Sequence, residues 1–417
     1  MKFGIRFLPA ALVLLAVGGL VDENFSHYPV GVLFLFGLFR IWQGPQEVLG
    51  TNDARFLIGV FACIWLPMLA ALPDAVNPAR AIKTTVFYLH FLPAGLYVTY
   101  ILRDLVVRRI LLSGIAAIVA FWCFDAIVQL LTGRDLFGYP YDGSVLKGVF
   151  HPKQRLGLVL AVFAPLYFHV VQSMAQRSRW AWLLLIPFIV VVIYSLKRTA
   201  WVMLVAACFG YVTCFLRVER LNMRIAALGA CIAVIMLSLI GVSTPQLIKQ
   251  VDGTLDAFSF DFETVDVATS HRLSLWKTGL SIARANWLNG VGPRGYRDVY
   301  RDFASADDFW IMRGTGGQTH PHLMFLEVLI ETGIVGGIGY IACLFLLIRR
   351  LWHQRRSHPA GAAHLLVAVI AWLPLNAHLA FYGSYWANIS WLMIALGCSS
   401  AGSSNDRRSC LPHKTHR

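Results

Sequence analysis

Two histidines, His320 and His322, flank Pro321 where a polar, glycine-rich approach gives way to an apolar run, GGQTHPHLMFLEVLIETGIVGGIGYIACLFLLI over 316–348. Imidazole is the side chain best suited to taking up and releasing a proton near neutral pH. A proline fits the first turn of a helix, where its missing N–H is no loss. Pro321 is therefore expected to open a helix and to place His322 in its first turn, at the membrane edge. The positive end of the helix dipole there favours a neutral ring, which can accept a proton.

A second set of residues suits anion binding. Lys197 and Arg198 lie in VIYSLKRTAWVML (192–204), where two apolar runs are joined by almost nothing. Arg272 is the second residue of the segment HRLSLWKTGLSIARANW, and Arg294, Arg297 and Arg301 lie in or just after the turn of LNGVGPRGYRDVY. Guanidinium offers a planar fork that matches phosphate oxygens. Lys197 and Arg198 can also be read as a snorkelling pair. A functional role is favoured because the turn runs against the charge bias of the other short loops on its side.

These residues need a scaffold, and composition says what kind. The chain of 417 residues is 57% hydrophobic and only 14% charged, with apolar runs near 20 residues recurring throughout. That pattern excludes a soluble domain of this size and predicts a polytopic all-α membrane protein. Twelve spans are expected, near 3–20, 28–43, 55–72, 82–101, 105–130, 154–171, 181–195, 199–216, 223–243, 322–348, 362–380 and 384–398. The first lacks a convincing small-x-small cleavage site and is read as a retained helix. The net charge of +14 arises mainly from Lys and Arg in alternate short loops, among them Arg103, Arg108 and Arg109, then Arg349, Arg350, Arg355 and Arg356. Charge so placed reports topology and not nucleic-acid binding, and it sets both termini in the cytoplasm. Four units follow: spans one to nine over 1–243, an outside loop over 244–321, spans ten to twelve over 322–398, and a tail over 399–417.

The outside loop opens on an acidic stretch, Asp252, Asp256, Asp261, Glu263 and Asp266. After Ser270, a candidate N-cap, an amphipathic helix is expected with Leu273, Trp276, Leu280, Ala283 and Trp287 on one face. It would lie on the membrane surface or pack over the bundle. Inside the tenth span, Glu327 and Glu331 fall one turn apart and must face the bundle interior, while Gly333, Gly336, Gly337 and Gly339 suit close helix approach. Asp125, an acid within the fifth span, is a functional candidate by default, with hydrogen bonding to a neighbouring helix as the plainer role. The outside loop over 132–155 ends at His151, Lys153 and Arg155 and would cover a site or touch a polyanion. Of eight cysteines, seven lie in apolar segments and Cys410 lies in the tail, a spacing that predicts neither a disulfide framework nor a metal site.

Three pieces in this order, SLKRTAW, then SHRLSLWKTGL with NWLNGVGPRGY, then HPHLMFLEVLIETGIVGGIGY, resemble the O-antigen ligase and polymerase family of bacterial envelope proteins. The third is the most specific, with Gly333 eleven residues after His322 and Gly336 beyond; Leu323 departs from the small polar residue usual after that histidine. The resemblance implies a GT-C-like inner-membrane glycosyltransferase whose site faces the periplasm. Its donor would be an undecaprenyl-diphosphate-linked glycan and its acceptor, for a ligase, a sugar hydroxyl of lipid A-core oligosaccharide. Neither cofactor nor metal is implied, and nucleic acid is not a partner; membrane lipids surround the protein. His322, Arg198 and Arg272 match the family's key histidine and arginines, and Lys197, His320, Arg294 and Arg297 are further substrate-binding candidates. On physical grounds arginines suit the diphosphate leaving group and His322 suits a general base. An O-antigen polymerase or a protein O-oligosaccharyltransferase would use the same donor chemistry. From another class, a transporter or flippase would use Asp125, His90 and His378 as a relay, but no inverted repeat is evident.

Overall fold

A computed structural model describes residues 2–215, 262–376 and 379–398, with backbone alone for 2–6 and 262. The expected ninth span, Asp252, Asp256, Asp261, His378 and the tail lie outside the described residues. Helices supply the regular structure, beside one isolated bridge between Arg134 and Pro140. In chain order they are α1 (Lys2–Gly18), α2 (His27–Gln43), α3 (Pro45–Leu49), α4 (Asn52–Ala70), α5 (Pro78–Tyr88), α6 (Phe91–Ile101), α7 (Leu105–Thr132), α8 (Leu156–Ala175), α9 (Leu185–Tyr194) and α10 (Arg198–Phe215). After the undescribed segment come α11 (Phe262–Ala268), α12 (Arg272–Ala285), α13 (Tyr296–Phe303), α14 (Phe309–Met312), α15 (Met324–Ser357), α16 (Pro359–Ala371) and α17 (Ser384–Cys398).

Burial follows the sequence pattern. Every residue from Leu156 to Phe168 in α8 and from Tyr385 to Cys398 in α17 is buried, as expected of helices apolar all round. These two form the centre: α8 packs on α10 and α16, and α17 on α16 and α6. Peripheral helices turn an apolar stripe outward, such as Ile334, Ile338, Ile341, Phe345 and Ile348 of α15. Exposed isoleucines at helical spacing are lipid-facing. Among the described residues α4, α7, α8, α10 and α15 are long and apolar enough to cross a bilayer, with shorter apolar helices beside them. The chain is a multi-pass membrane protein, all-helical among the described residues.

Two expected spans are broken. The 82–101 run divides into α5 and α6, interrupted at Leu89 and His90. Asn77 caps α5 by accepting the Arg80 N–H, Pro93 lies in the first turn of α6, and the His90 ring donates to the Phe87 carbonyl. Residues 181–195 form a 3-10 turn, Arg179–Leu184, followed by the ten-residue α9.

The third interruption shapes the site. Within α15, Gly333 adopts φ 61°, ψ −161°, a conformation reserved for glycine. The break frees carbonyls and an N–H that need new partners at membrane depth. The 286–292 loop supplies them: the Val291 and Gly292 N–H groups donate to the Ile330 and Glu331 carbonyls at 2.9 and 3.0 Å, and the Ile334 N–H donates to Trp287 at 2.8 Å. A Cβ on Gly333 would lie 2.1 Å from the Leu288 carbonyl oxygen, and one on Gly290 2.5 Å from the Glu331 backbone. Gly333 therefore marks a helix break, where the sequence suggested close helix approach. Gly339 does serve helix approach, since its Cβ would strike the Cys63 carbonyl of α4 at 2.0 Å. Gly333→Ala should cost at least about 1–3 kcal/mol from backbone strain alone, read as a lower Tm of the detergent-solubilised protein. Gly59→Ala on α4, with nothing within 4 Å of its Cβ, should leave the Tm unchanged or slightly raised. Equal melting of the two variants would refute the break.

Candidate active site

The basic cluster is built by a knuckle between α11 and α12. Ser270 and His271 both take left-handed backbone conformations, φ 60° and 57°, which turn the chain sharply. Asp266 holds the turn: its carboxylate accepts the Ser274 N–H and hydroxyl at 3.1 Å each and lies 3.0 Å from His271 Nδ1. Asp266, and not Ser270, thus caps α12, because a carboxylate six residues upstream reaches the open N–H groups that a left-handed Ser270 turns away from. The His271 ring stacks on Phe309 with centroids 3.4 Å apart, and Trp310 Nε1 donates to the His271 carbonyl at 3.0 Å. The knuckle presents Arg272 at the first position of α12.

The tight turn between α9 and α10 meets this knuckle. Arg198, the first residue of α10, donates from its guanidinium to the Ala268 carbonyl. Lys197 bonds Gln154 Oε1 at the end of the 132–155 loop. Arg272 has no hydrogen-bond or ion-pair partner among the described residues. Burial pulls its pKa down, and the neighbouring Arg198 charge adds to the effect. Lys197 is shifted the same way, by burial first and then by Arg272 and Lys147. Half-buried like charges so gathered repel one another, and an incoming polyanion relieves that repulsion.

The histidine triplet hangs from α12. Trp276, one turn beyond Arg272 and on the same face, donates from Nε1 to the Pro321 carbonyl at 3.1 Å. The His320 and His322 rings lie 4.1 Å apart between centroids. Thr319 Oγ1 is 3.0 Å from His320 Nδ1, and Arg297 donates to the Thr319 carbonyl at 3.1 Å. Helix α15 starts at Met324, so Pro321 does not open it and His322 is not in its first turn. His322 instead takes φ 52° just ahead of the N-cap residue Leu323. Two interactions account for this correction. Trp276 pins Pro321, and the first helical N–H groups, of Met324 and Phe325, donate to the Asn376 and Pro374 carbonyls.

Arg294 and Arg297 belong to a second, balanced set. Glu327 and Glu331 are fully buried, as their placement required. Glu331 accepts the Arg294 N–H at 2.5 Å and Glu327 accepts the Phe381 N–H at 3.0 Å. Both arginine charges act on both carboxylates. Arg297 has its pKa lowered by burial and then by Arg294. The opposing carboxylates leave this pair with less uncompensated positive charge than Arg198 and Arg272.

Other sequence candidates resolve into packing. Asp125 accepts the Leu136 N–H at 3.1 Å, and Gln129 Oε1 accepts the Lys147 and Gly148 N–H groups. Together they fasten the 132–155 loop to α7, where the sequence suggested a neighbouring helix. Arg155 pairs with Glu23 at 3.0 Å and lies over the Tyr385 ring. The face of α12 is also rotated from expectation: Leu275, Thr278, Gly279 and Ile282 are buried, while Leu280 and Trp287 are exposed. Small Gly279 lets α12 approach Leu326 and Ile330 of α15, and a hydrophobicity pattern that favours large residues misses that contact. Sequence reasoning also missed Asp266 and Gln154 as partners of the cluster, and Lys147, paired with Asp142 at 2.9 Å, as a further charge near Lys197. Asp266 preceding two turn residues and a helix was the one available signal.

Residues 180–341 match the family model described as O-antigen ligase. That segment holds the α9–α10 turn, the knuckle, the loop that fills the α15 break, and the histidine triplet. The chain is also 24% identical over 350 residues to the exopolysaccharide production protein ExoQ of Rhizobium meliloti (strain 1021), covering 79% of this chain and 74% of that protein. The segment that carries the site geometry is therefore the one that matches, and over it the chain is similar to the O-antigen ligase family.

Proposed function

We propose that this protein transfers a glycan from undecaprenyl diphosphate to a sugar hydroxyl of lipid A-core oligosaccharide, as an inverting O-antigen ligase with twelve spans and a GT-C-like layout. The site faces the periplasm and the protein sits in the inner membrane. The carrying observation is the meeting of Lys197, Arg198 and Arg272 at one knuckle, with Trp276 of the same helix holding the His320–Pro321–His322 triplet.

His322 takes the proton of the acceptor hydroxyl as its oxygen attacks the anomeric carbon. The bond from that carbon to the diphosphate oxygen breaks, and undecaprenyl diphosphate leaves with the electron pair. Arg198 and Arg272 bind the leaving diphosphate and stabilise its growing charge. Lys197 and His320 bind substrate beside them, with Arg294 and Arg297 further out.

A second reading, a polymerase that adds one lipid-linked glycan to another, is favoured by the likeness to an exopolysaccharide production protein. The lipopolysaccharide banding pattern of a deletion strain separates the two. Loss of ligase leaves core without long-chain glycan while lipid-linked glycan accumulates. Loss of polymerase leaves core bearing a single repeat. A wild-type banding pattern with normal exopolysaccharide would overturn both.

A further inference from the structure

Backbone strain gathers at the basic cluster and the histidine triplet. Among the described residues, five other than glycine take positive φ: Leu196, Ser270, His271, Arg294 and His322. A Cβ disfavours that conformation, and where it persists the surroundings must hold it. Leu196 directly precedes Lys197, Ser270 and His271 precede Arg272, and Arg294 and His322 are site candidates themselves. The 132–155 loop differs, since its positive-φ residues Gly133, Gly138, Gly143 and Gly148 are all glycine. Glycine takes up a left-handed turn without steric penalty. The knuckle keeps side chains at 270 and 271 despite that penalty.

His271 is held from several directions. Its N–H donates to the Asp266 carbonyl at 2.6 Å, and its own carbonyl accepts from Trp310 Nε1 at 3.0 Å. Ring atom Nδ1 lies 3.0 Å from Asp266 Oδ2, and the ring stacks on Phe309 with 13° between planes. The Arg313 guanidinium lies over that Phe309 ring, 4.8 Å from its centroid. The Asp266 carboxylate also accepts from Ser274, so one group grips the chain on both sides of Arg272. Arg272, with no hydrogen bond or ion pair of its own among the described residues, takes its direction from this backbone. Ser270 is exposed, and no side-chain hydrogen bond holds it among the described residues.

We propose that His271 is a positioning residue: gripped by Asp266 and Phe309, it locks the left-handed turn that sets the direction of the Arg272 guanidinium. The inference deepens the reading of Arg272 as a group that stabilises the leaving diphosphate, and its kinetic test rests on that reading. A charge aimed before the bond breaks needs no reorganisation during the reaction. Misplacement by about 1 Å can cost about 10² in rate. Glycine at 271 would form the same turn but visit both hands of backbone space. The guanidinium would then swing with it.

Three variants of the full-length protein in detergent test this. His271→Gly keeps the turn and removes the grip. Relief of left-handed strain offsets the lost ring contacts, so Tm should stay within about 2 °C of the wild type. Its kcat for transfer should fall about 10–10²-fold, with KM for the lipid-linked donor changed less than about threefold. His271→Asn tolerates the left-handed backbone and its amide can still donate to Asp266, so it should recover most of the loss. Ser270→Gly relieves strain without touching the grip and should transfer like the wild type. On an Arg272→Ala background, His271→Gly should add less than about a twofold loss, because the group it positions is gone. A loss as large there as in the wild-type background, wild-type kcat in His271→Gly, or a Tm far below the wild type would each overturn the proposal. Mobility is read without any transfer by a nitroxide at Arg272→Cys, with the eight native cysteines replaced by alanine. The label should be more mobile in His271→Gly than beside the native His271, and slowed again in His271→Asn. Equal mobility in all three would end the positioning role. The expected mobilities in a protein that transfers no glycan would remove the transferase reading and leave the positioning role standing.

Discussion

Replacing His322 with alanine should lower glycan transfer by about 10²–10⁴, the range for loss of a general base, with donor binding nearly intact. The separation follows from the architecture: the histidine triplet hangs from Trp276, whereas the basic cluster is built by the knuckle and the α9–α10 turn. The rival role, an imidazolium that binds phosphate, makes opposite predictions. A cationic role tolerates His322→Arg and strengthens as pH falls. A proton acceptor must be neutral, so activity should fall with acidification and His322→Arg should be as inactive as His322→Ala. Transfer from purified lipid-linked donor, with donor binding measured in parallel between pH 5.5 and 8.5, decides between them. Activity in His322→Arg would pass the base role to His320, whose ring lies 4.1 Å away. Glu327 is the next candidate and a poorer one, being fully buried and already bonded to the Phe381 N–H.

Arg198→Ala should reduce transfer by about 10²–10³, the cost of removing one donor aimed at developing charge, and should also weaken donor binding. Arg198 binds the Ala268 carbonyl as well, so its loss loosens the knuckle that presents Arg272. The double variant with Arg272→Ala should therefore fall short of the product of the two single effects. Arg198→Lys should recover little, because an ammonium cannot span the carbonyl and a phosphate as a planar fork does. Arg294→Ala serves as contrast. It strips a counter-charge from buried Glu327 and Glu331, so its main effect should be a lower Tm, with transfer reduced less than in Arg198→Ala. Wild-type transfer in Arg198→Ala, at normal abundance in the membrane, would take this residue out of the site.

Much of the protein was legible from one dimension. Apolar runs near 20 residues required membrane helices, because unpaired backbone polar groups are too costly in hydrocarbon. The burial of Glu327 and Glu331 followed from the same cost applied to charge. The cation pair at Lys197 and Arg198 stood out because it breaks a charge bias that can be counted along the chain. What sequence could not supply were contacts between distant segments. The break in α15 depends on a distant upstream loop, Val291 and Gly292, fitting its carbonyls, and nothing local distinguishes Gly333 from Gly337. The position of His322 ahead of the helix depends on Trp276 and on the Pro374 and Asn376 carbonyls, so propensity for proline in a first turn was outweighed. The buried face of α12 is set by how closely Gly279 lets it approach α15, and hydrophobicity ranks glycine low. Periodicity records which residues avoid water, whereas the backbone hydrogen bonds that these turns and breaks require are satisfied only by segments that folding brings together.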